Sequence, residues 1–223
     1  MTIRLRKETE KLIKKLYTLE SMVEESLSRA VEAVGKRNQG LAKLVIENDN
    51  QIDQMEVELE EECLKILALY QPVAGDLRMV IAILKMNNDL ERIGDLAANI
   101  GEKAVHLATH DLLEIPYDFN AMATCARNML KGCFDALSTS DADKAQSVRE
   151  MDDKLDTMNR EMYSLVESSI LKNPENLDSY IHMMGISRNL ERMGDLAVNI
   201  AEDVIYMVEG SIVRHIGKHG QKT

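Results

Sequence analysis

Tryptophan is absent from this chain of 223 residues, phenylalanine occurs only twice and proline three times. Aromatic residues are enriched in strands and proline bounds turns, so their scarcity argues against a β-rich fold. Good helix formers are abundant instead, among them leucine, alanine, glutamate and 14 methionines. Apolar residues make up 45% of the chain, which is enough for a core. The composition therefore predicts an all-α protein.

A surplus of positive charge is also missing, because the formal net charge is −11. Nucleic-acid binding depends on a concentrated basic surface that neutralises phosphates. The one basic cluster lies within the first fifteen residues, between Arg4 and Lys15, where a solvated helix face is the favoured interpretation. We therefore expect no nucleic-acid partner.

Long apolar runs are lacking as well. The first twenty residues contain no signal-peptide core, and no later run approaches the ~18 residues of a membrane span. Cys63, Cys125 and Cys133 are odd in number and have no CxxC spacing, which favours reduced, buried thiols. We expect a soluble cytoplasmic protein.

Apolar residues recur at three- and four-residue spacing in six segments. The predicted helices span 5–35, 41–70, 76–110, 118–138, 142–172 and 176–209. Asp76 is the expected N-cap of the third helix. Long helices joined by short turns predict antiparallel three-helix bundles.

One segment occurs twice. The residues from Leu90 to Ile100 read LERIGDLAANI, and LERMGDLAVNI follows from Leu190 to Ile200, an offset of 100 residues. In the preceding helix, the segment 49–53 corresponds to 152–156 at an offset of 103. The chain is an internal duplication, and we predict two bundle domains, 1–114 and 115–223.

The duplicated segment carries acidic and amide side chains on the face opposite its apolar seam. They are Glu91, Asp95, Asn99 and Glu102, repeated as Glu191, Asp195, Asn199 and Glu202. Such side chains repel one another by tenths of a kcal/mol per pair, and no basic residue at i+4 relieves them. Stability alone does not favour this pattern twice.

An antiparallel hairpin turning near Pro72 brings acids of the second helix beside those of the third. The predicted clusters are Asp49, Asp53, Glu91 and Asp95 in the first half, and Asp152, Asp156, Glu191 and Asp195 in the second. Oxygen-only ligands suit Mg²⁺, Mn²⁺ or ferric iron better than structural zinc. A solvated acidic surface is the alternative, and for a single stripe it would be preferred. The duplication favours two metal sites.

Gly94 and Gly194 precede the second acid of each stripe. A glycine inside a helix costs about 1 kcal/mol relative to alanine, so its presence predicts a close approach between helices.

Enzyme motifs are missing. The chain contains no P-loop, no dinucleotide fingerprint and no nucleophile with a visible activating partner. The five histidines, His106, His110, His182, His215 and His219, lack the Glu-x-x-His spacing of di-iron bundles and are expected to be surface or core residues. We do not expect an enzyme.

Two sets of motifs resemble the PhoU family over nearly the whole chain: QPVAGDLR from Gln71 to Arg78, and the paired ERxGDLAxNI segments. The family's Glu/Asp-x-x-x-Asp metal motif is matched at Glu91 with Asp95 and at Glu191 with Asp195. The resemblance implies a tandem pair of three-helix bundles, usually a homodimer. It also implies bound metal ions or clusters of iron, manganese, magnesium or zinc, with the identity open.

The resemblance further implies a negative regulator of phosphate uptake and of the phosphate regulon. Such an adaptor would link the ATPase subunit of the phosphate ABC transporter to a sensor histidine kinase, and would reach the membrane only through these partners. Metal-cluster storage, a metal-dependent enzyme and a structural scaffold are the alternatives. The second half has Asn173-Pro174 in place of the QPVAGDLR turn, so the halves need not share one partner.

Overall fold

A computed structural model of the chain describes residues 3–110 and 117–213. In these residues the chain forms six α-helices and one short 3₁₀ helix, Pro174–Asn176. The α-helices are α1 (Ile3–Lys36), α2 (Gln39–Tyr70), α3 (Ala74–Ala108), α4 (Phe119–Thr139), α5 (Ala142–Lys172) and α6 (Leu177–Glu209). The all-α prediction is confirmed, and the predicted helices agree closely with these bounds.

The start of α3 differs from the prediction. Its N-cap is Val73, which makes no side-chain capping hydrogen bond, and Asp76 lies inside the first turn. The prediction that Asp76 is the N-cap was wrong because the backbone of Gln71 and Ala74 takes positive φ, 45° and 50°. These positive φ values let the connection between α2 and α3 span only the three residues 71–73. In the first turn the Asp76 carboxylate still interacts favourably with the helix dipole.

Each half is a three-helix bundle in which every helix contacts the other two: α1 with α2 and α3, and α4 with α5 and α6. The bundles are joined by contacts of α3 with α6 and of α1 with α4. One cluster of buried apolar side chains runs through both bundles. The predicted division between residues 114 and 115 lies outside the described residues.

The duplication is visible in the burial of side chains. Residues 86–100 and 186–200 have the same sequence of buried, half-buried and exposed positions. On the other helix pair the buried residues Val45, Ile52, Leu59 and Cys63 of α2 correspond to Val148, Leu155, Met162 and Val166 of α5. The sequence alignment with its offsets of 100 and 103 residues is therefore confirmed.

Helices α3 and α6 pack antiparallel across the interface between the bundles. Lys85 Nζ lies 3.1 Å from Asp203 Oδ1 at one end, and the Asp203 side chain is only 1% exposed. At the other end the Lys103 stem lies against Gly185. Gly185 and Asp203 are the duplicated counterparts of Lys85 and Lys103. The two halves are thus related by an approximate two-fold axis near Gly94.

The three cysteines are free and buried, as predicted. Burial raises the pKa of the Cys63 thiol to about 12, and Cys133 Sγ donates to the Ala197 carbonyl at 3.1 Å. Burial keeps both thiols protonated, and they are therefore unreactive, because the reactive form of cysteine is the thiolate. None of the described helices combines the length and apolar character needed to cross a lipid bilayer.

Candidate metal centres

Three predicted ligands of the first half converge between α2 and α3. One carboxylate oxygen each of Asp49, Asp53 and Asp95 lies within 4.8 Å of the other two. Ile52 is buried against α3, so Asp49 and Asp53, three residues before it and one after, stand at the edge of that contact. The hairpin geometry expected from the sequence is therefore observed, while metal binding itself stays a prediction.

Glu91 lies one turn before Asp95 and belongs to the same acidic patch. Partial burial, and then the negative charges of Asp95 and Asp53, raise the pKa of Glu91 to about 7. A carboxyl group raised this far is stabilised in its charged form by any nearby cation. Glu91 is thus suited to complete the ligand set, although its oxygens lie outside the tight group of three.

Asp49 is the most enclosed acid of the first patch. Burial, followed by the charges of Asp95 and Asp53, raises its pKa to about 6. Its Oδ1 atom is buried and accepts no hydrogen bond from the described residues. Leaving a buried acceptor without a donor costs about 1–3 kcal/mol, and a coordinated cation removes that cost. The donor set therefore fits a hard metal ion.

The two mid-helix glycines allow the helices of each hairpin to approach closely, as predicted. A Cβ atom on Gly94 would lie 3.0 Å from Ile52 Cγ2 and 3.4 Å from Asp49 Oδ1. On Gly194 it would overlap Leu155 Cδ2 and lie 3.2 Å from Asp152 Oδ1. Each glycine thus makes room for both the seam residue and the enclosed carboxylate of the facing helix.

The acids of the second half share a patch that is less compact. Burial, and then the charges of Asp195, Asp156 and Asp152, raise the pKa of Glu191, while Arg188 lowers it. Within the described residues, no three of these four acids bring one oxygen each within 4.8 Å of one another. Arg188 replaces Asn88 of the first half, so a fixed positive charge already offsets part of the repulsion here.

The last acid of the second stripe pairs with a base from another helix. Glu202 is 9% exposed, and its Oε1 atom lies 3.5 Å from Arg149 Nε on α5. Glu202 lines the same cleft as Asp195 and Asn199, and the base that pairs with it comes from the neighbouring helix. Sequence spacing along α6 alone does not reveal such a pair.

Both patches open onto a groove of about 310 Å³ on the approximate two-fold axis. It is lined by Arg92, Asp95, Leu96 and Asn99 and by their counterparts Arg192, Asp195, Leu196 and Asn199. A cation can therefore reach Asp95 and Asp195 from solvent.

The sequence analysis missed one group of possible metal ligands. His106, Asp178 and His182 lie close enough for one ligand atom of each to share an ion. Two i, i+4 pairs, His106 with His110 and Asp178 with His182, were the available signal. They belong to different bundles, so only the packing of α3 on α6 brings them together.

Fold and site together define a tandem three-helix-bundle protein with a carboxylate patch between the second and third helices of each bundle. The model of the PhoU domain matches residues 16–104 and 119–204. The chain belongs to the PhoU family, as the sequence motifs indicate.

Similar proteins cover almost the whole chain. A phosphate-specific transport system accessory protein PhoU homolog of Aquifex aeolicus is 37% identical over 96% of this chain and 96% of its own length. The PhoU protein of Escherichia coli is 32% identical over 94% of this chain and 87% of its own. The crystal structure of PhoU from Pseudomonas aeruginosa matches with a TM-score of 0.87 at 35% identity, covering 92% of this chain and 99% of that one. That of the phosphate transport system regulatory protein PhoU from Streptococcus pneumoniae matches at 0.84 and 29%, covering 94% and 99%. These matches confirm the tandem-bundle fold.

Proposed function

We propose that this protein is a metal-binding, non-enzymatic regulator of phosphate transport. The observation that carries the proposal is the cluster of Asp49, Asp53 and Asp95, with its buried Asp49 oxygen, on a member of the PhoU family. Relatives named as accessory or regulatory proteins of phosphate transport support the role.

The metal has a defined physical task in this proposal. It neutralises acids that repel one another across the α2–α3 contact and joins the two helices through shared ligands. Mg²⁺, Mn²⁺ and iron suit oxygen ligands best, and zinc also binds carboxylates. A loaded and an empty patch differ in charge and in the rigidity of the hairpin, which are properties that a partner protein can distinguish.

The finer role rests on the family resemblance. In the proposal the protein acts in the cytoplasm as a homodimer and restrains phosphate uptake and the phosphate regulon. It contacts the ATPase subunit of the phosphate ABC transporter and the cytoplasmic part of a sensor histidine kinase. The two hairpin turns differ, since the first closes over residues 71–73 and the second contains the 3₁₀ helix. This difference supports separate partners for the two halves.

The test in solution compares two variants with equal loss of charge. Asp49→Asn with Asp95→Asn removes two ligands of the first patch. Glu61→Gln with Glu102→Gln removes two exposed acids from the same helices and serves as the control. Elemental analysis and Mn²⁺ titration calorimetry should show metal binding by the wild type and the control. The Asp49/Asp95 variant, with unchanged helical circular dichroism, should lose the first site.

The same variants test the regulatory role in cells. In a strain lacking the wild-type gene, the control should restore normal phosphate uptake and the Asp49/Asp95 variant should not. A wild-type protein that binds no metal after anaerobic incubation with Mn²⁺, Mg²⁺ or Fe²⁺ would exclude the metal part of the proposal. Normal regulation by the metal-free variant would instead leave the patches without a regulatory role. Two results together would indicate storage of a metal cluster: many ions bound per chain, and phosphate uptake that does not change when these ions are lost.

A further inference from the structure

A histidine–aspartate cluster, formed by His106, His110, Asp178 and His182, lies between the two bundles at one end of the α3–α6 contact. His106 Nε2 donates to Asp178 Oδ2 at 2.5 Å. His110 Nε2 lies 3.8 Å from Asp178 Oδ2, and His182 Nε2 lies 4.0 Å from Asp178 Oδ1. Three imidazole nitrogens, from α3, from the residues just after it and from α6, thus surround one carboxylate.

The imidazole rings are stacked on one another. The ring of His106 lies between the other two, with centroid distances of 3.7 Å to His182 and 4.3 Å to His110. Three protonated rings at these distances would repel one another, and a single carboxylate cannot balance them. The neutral imidazole, which has a lone pair on one nitrogen, is the form that binds metals.

Two contacts position the His110 ring as a ligand. His110 Nδ1 lies 2.9 Å from the His106 carbonyl oxygen, so this nitrogen carries the proton and Nε2 is left with a lone pair. Arg37 donates to the carbonyls of Leu107 and His110 and holds the end of α3 in place. A backbone hydrogen bond to the second ring nitrogen is the usual support of a metal-binding histidine.

Burial, and then the proximity of His106, lowers the pKa of His182. Lys103 is the nearest lysine on α3, and its ammonium group is turned back to donate to the Asn99 carbonyl at 3.1 Å. Its positive charge still acts on the cluster, because it is one of the causes that lower the pKa of His182.

The duplication supplies an internal comparison. At the other end of the α3–α6 contact, the positions equivalent to the cluster hold Arg78, Ala82, Tyr206 and Gly210. There the Arg78 guanidinium group lies against Gly210, 3.3 Å from where a Cβ would be. Packing α3 on α6 therefore does not require histidines, and the cluster is a feature of one end only.

We propose that His106, Asp178 and His182 bind one divalent transition-metal ion of the zinc class, and that His110, which lies outside this group of three, turns in as the fourth ligand. Three imidazole nitrogens and one carboxylate oxygen are a donor set that Zn²⁺ takes in tetrahedral geometry. The site is separate from the oxygen-only patches and joins different elements. His106 lies on α3 and His110 two residues beyond its end, while Asp178 and His182 lie on α6, so the ion ties the first bundle to the second.

Metal binding replaces the hydrogen bond between His106 and Asp178. The proton of the neutral His106 ring moves by exchange with solvent from Nε2 to Nδ1, the ring and the carboxylate turn towards the ion, and each contributes a lone pair. Zn²⁺ uptake by neutral rings should therefore release no net protons near neutral pH, and affinity should fall in acid, where protons compete with the ion for the imidazole nitrogens.

The experiment is Zn²⁺ titration calorimetry of the chelator-treated full chain, with Co²⁺ as a spectroscopic probe of coordination. The wild type should bind one Zn²⁺ at this site and give the intense visible absorption of four-coordinate Co²⁺. His106→Ala with His182→Ala should lower Zn²⁺ affinity by at least about tenfold and abolish the Co²⁺ spectrum. Asp178→Asn is an exposed, nearly isosteric change that keeps the fold and should also lower affinity.

Two controls assign the zinc to this cluster. His215→Ala with His219→Ala removes as many histidines from outside the described residues and should leave the Co²⁺ spectrum unchanged. The Asp49→Asn, Asp95→Asn variant should also keep the spectrum, so this proposal and the carboxylate site fail independently. Loss of the Zn²⁺ signal in either control, or equal binding by the wild type and the His106/His182 variant, would overturn the proposal.

Discussion

Asp49 and Glu91 combine partial burial with neighbouring negative charge, and both effects act against ionisation. Their pKa values rise to about 6 and about 7. Folding stabilises the charged form of most carboxyl groups, so their contribution to stability rises with pH. The contribution of Asp49 and Glu91 falls with pH instead. Between their unfolded and folded pKa values the folded chain binds more protons than the unfolded chain.

We therefore predict that the metal-free protein loses stability as the pH rises from about 4.5 to 7. The contribution of Glu91 and Asp49 is fully present below their unfolded pKa values and is lost as the pH passes through the folded ones. After allowance for solvent screening of these partly exposed groups, we expect an effect of about 1 kcal/mol. Urea unfolding at pH 5 and pH 7.5 in the presence of EDTA measures it.

Glu91→Gln should reduce this pH dependence, and Glu102→Gln, an exposed acid on the same helix, should not. Saturating Mn²⁺ should reverse the trend by stabilising the charged form at pH 7.5. An equal pH dependence in both variants would contradict the assignment to the patch.

At the scale of residues, the sequence predicted which acids cluster but not how each is surrounded. Asp49, Asp53 and Asp95 follow from helical spacing and one hairpin. The pairing of Glu202 with Arg149 depends on the rotation of α5 about its axis, which a periodic pattern fixes only roughly. The histidine–aspartate cluster needs the contact between bundles, about which no local pattern carries information.

At the scale of elements, the α2–α3 hairpin depends on the close approach at Gly94. Ile52 of α2 fills the space that a side chain at position 94 of α3 would occupy. Ile52 is β-branched, so its side chain is stiff. This packing fixes the register between the helices and with it the alignment of Asp49 with Asp95.

We predict that Gly94→Ala destabilises the protein although alanine favours helix. The gain in helix propensity is at most about 1 kcal/mol, and overpacking a tight core typically costs about 1–3 kcal/mol. We expect a net loss of about 1 kcal/mol together with weaker Mn²⁺ binding. Chemical denaturation and calorimetry measure the two effects.

Gly35→Ala is the matched control, because a Cβ at Gly35 has nothing within 4 Å. It should be neutral or slightly stabilising. If Gly94→Ala behaved in the same way, the close approach would not limit the hairpin.

Helix positions were the most predictable elements, because apolar residues recur at helical spacing through all six. The start of α3 was not, since the left-handed backbone of Ala74 replaces a side-chain cap. A positive φ at alanine is uncommon, and propensity alone gives no reason to expect it.

At the scale of the whole molecule, the buried core continues from one bundle into the other through α3 and α6. Separate domains usually meet through a smaller and more polar surface. The two sequence repeats therefore pack around one shared hydrophobic core.

We predict a single cooperative unfolding transition in the metal-free chain. Leu90 and Leu190 are duplicated counterparts and both are fully buried. Changing either to Ala should lower the free energy of unfolding by about 2–5 kcal/mol and shift the same transition. Differential scanning calorimetry measures this as equal calorimetric and van't Hoff enthalpies. Two transitions, each moved by only one of the substitutions, would show that the halves unfold independently.

The sequence established the number of bundles but not their arrangement. Each repeat has a similar apolar seam, and several pairings of helices would bury comparable areas. Only the structure shows that α3 meets α6 and α1 meets α4.

The antiparallel packing of α3 on α6 has the geometry of a symmetric dimer. It differs from such a dimer in which substitutions the interface can accept. When two identical chains associate, a substitution appears at both ends of the interface at once, and each new side chain must be tolerated twice. Here each end is encoded separately. One end therefore holds three histidines and an aspartate, while the other holds an arginine against a glycine. Covalent linkage of the repeats thus allows a directional molecule, with two unlike ends, to be built on a symmetric frame.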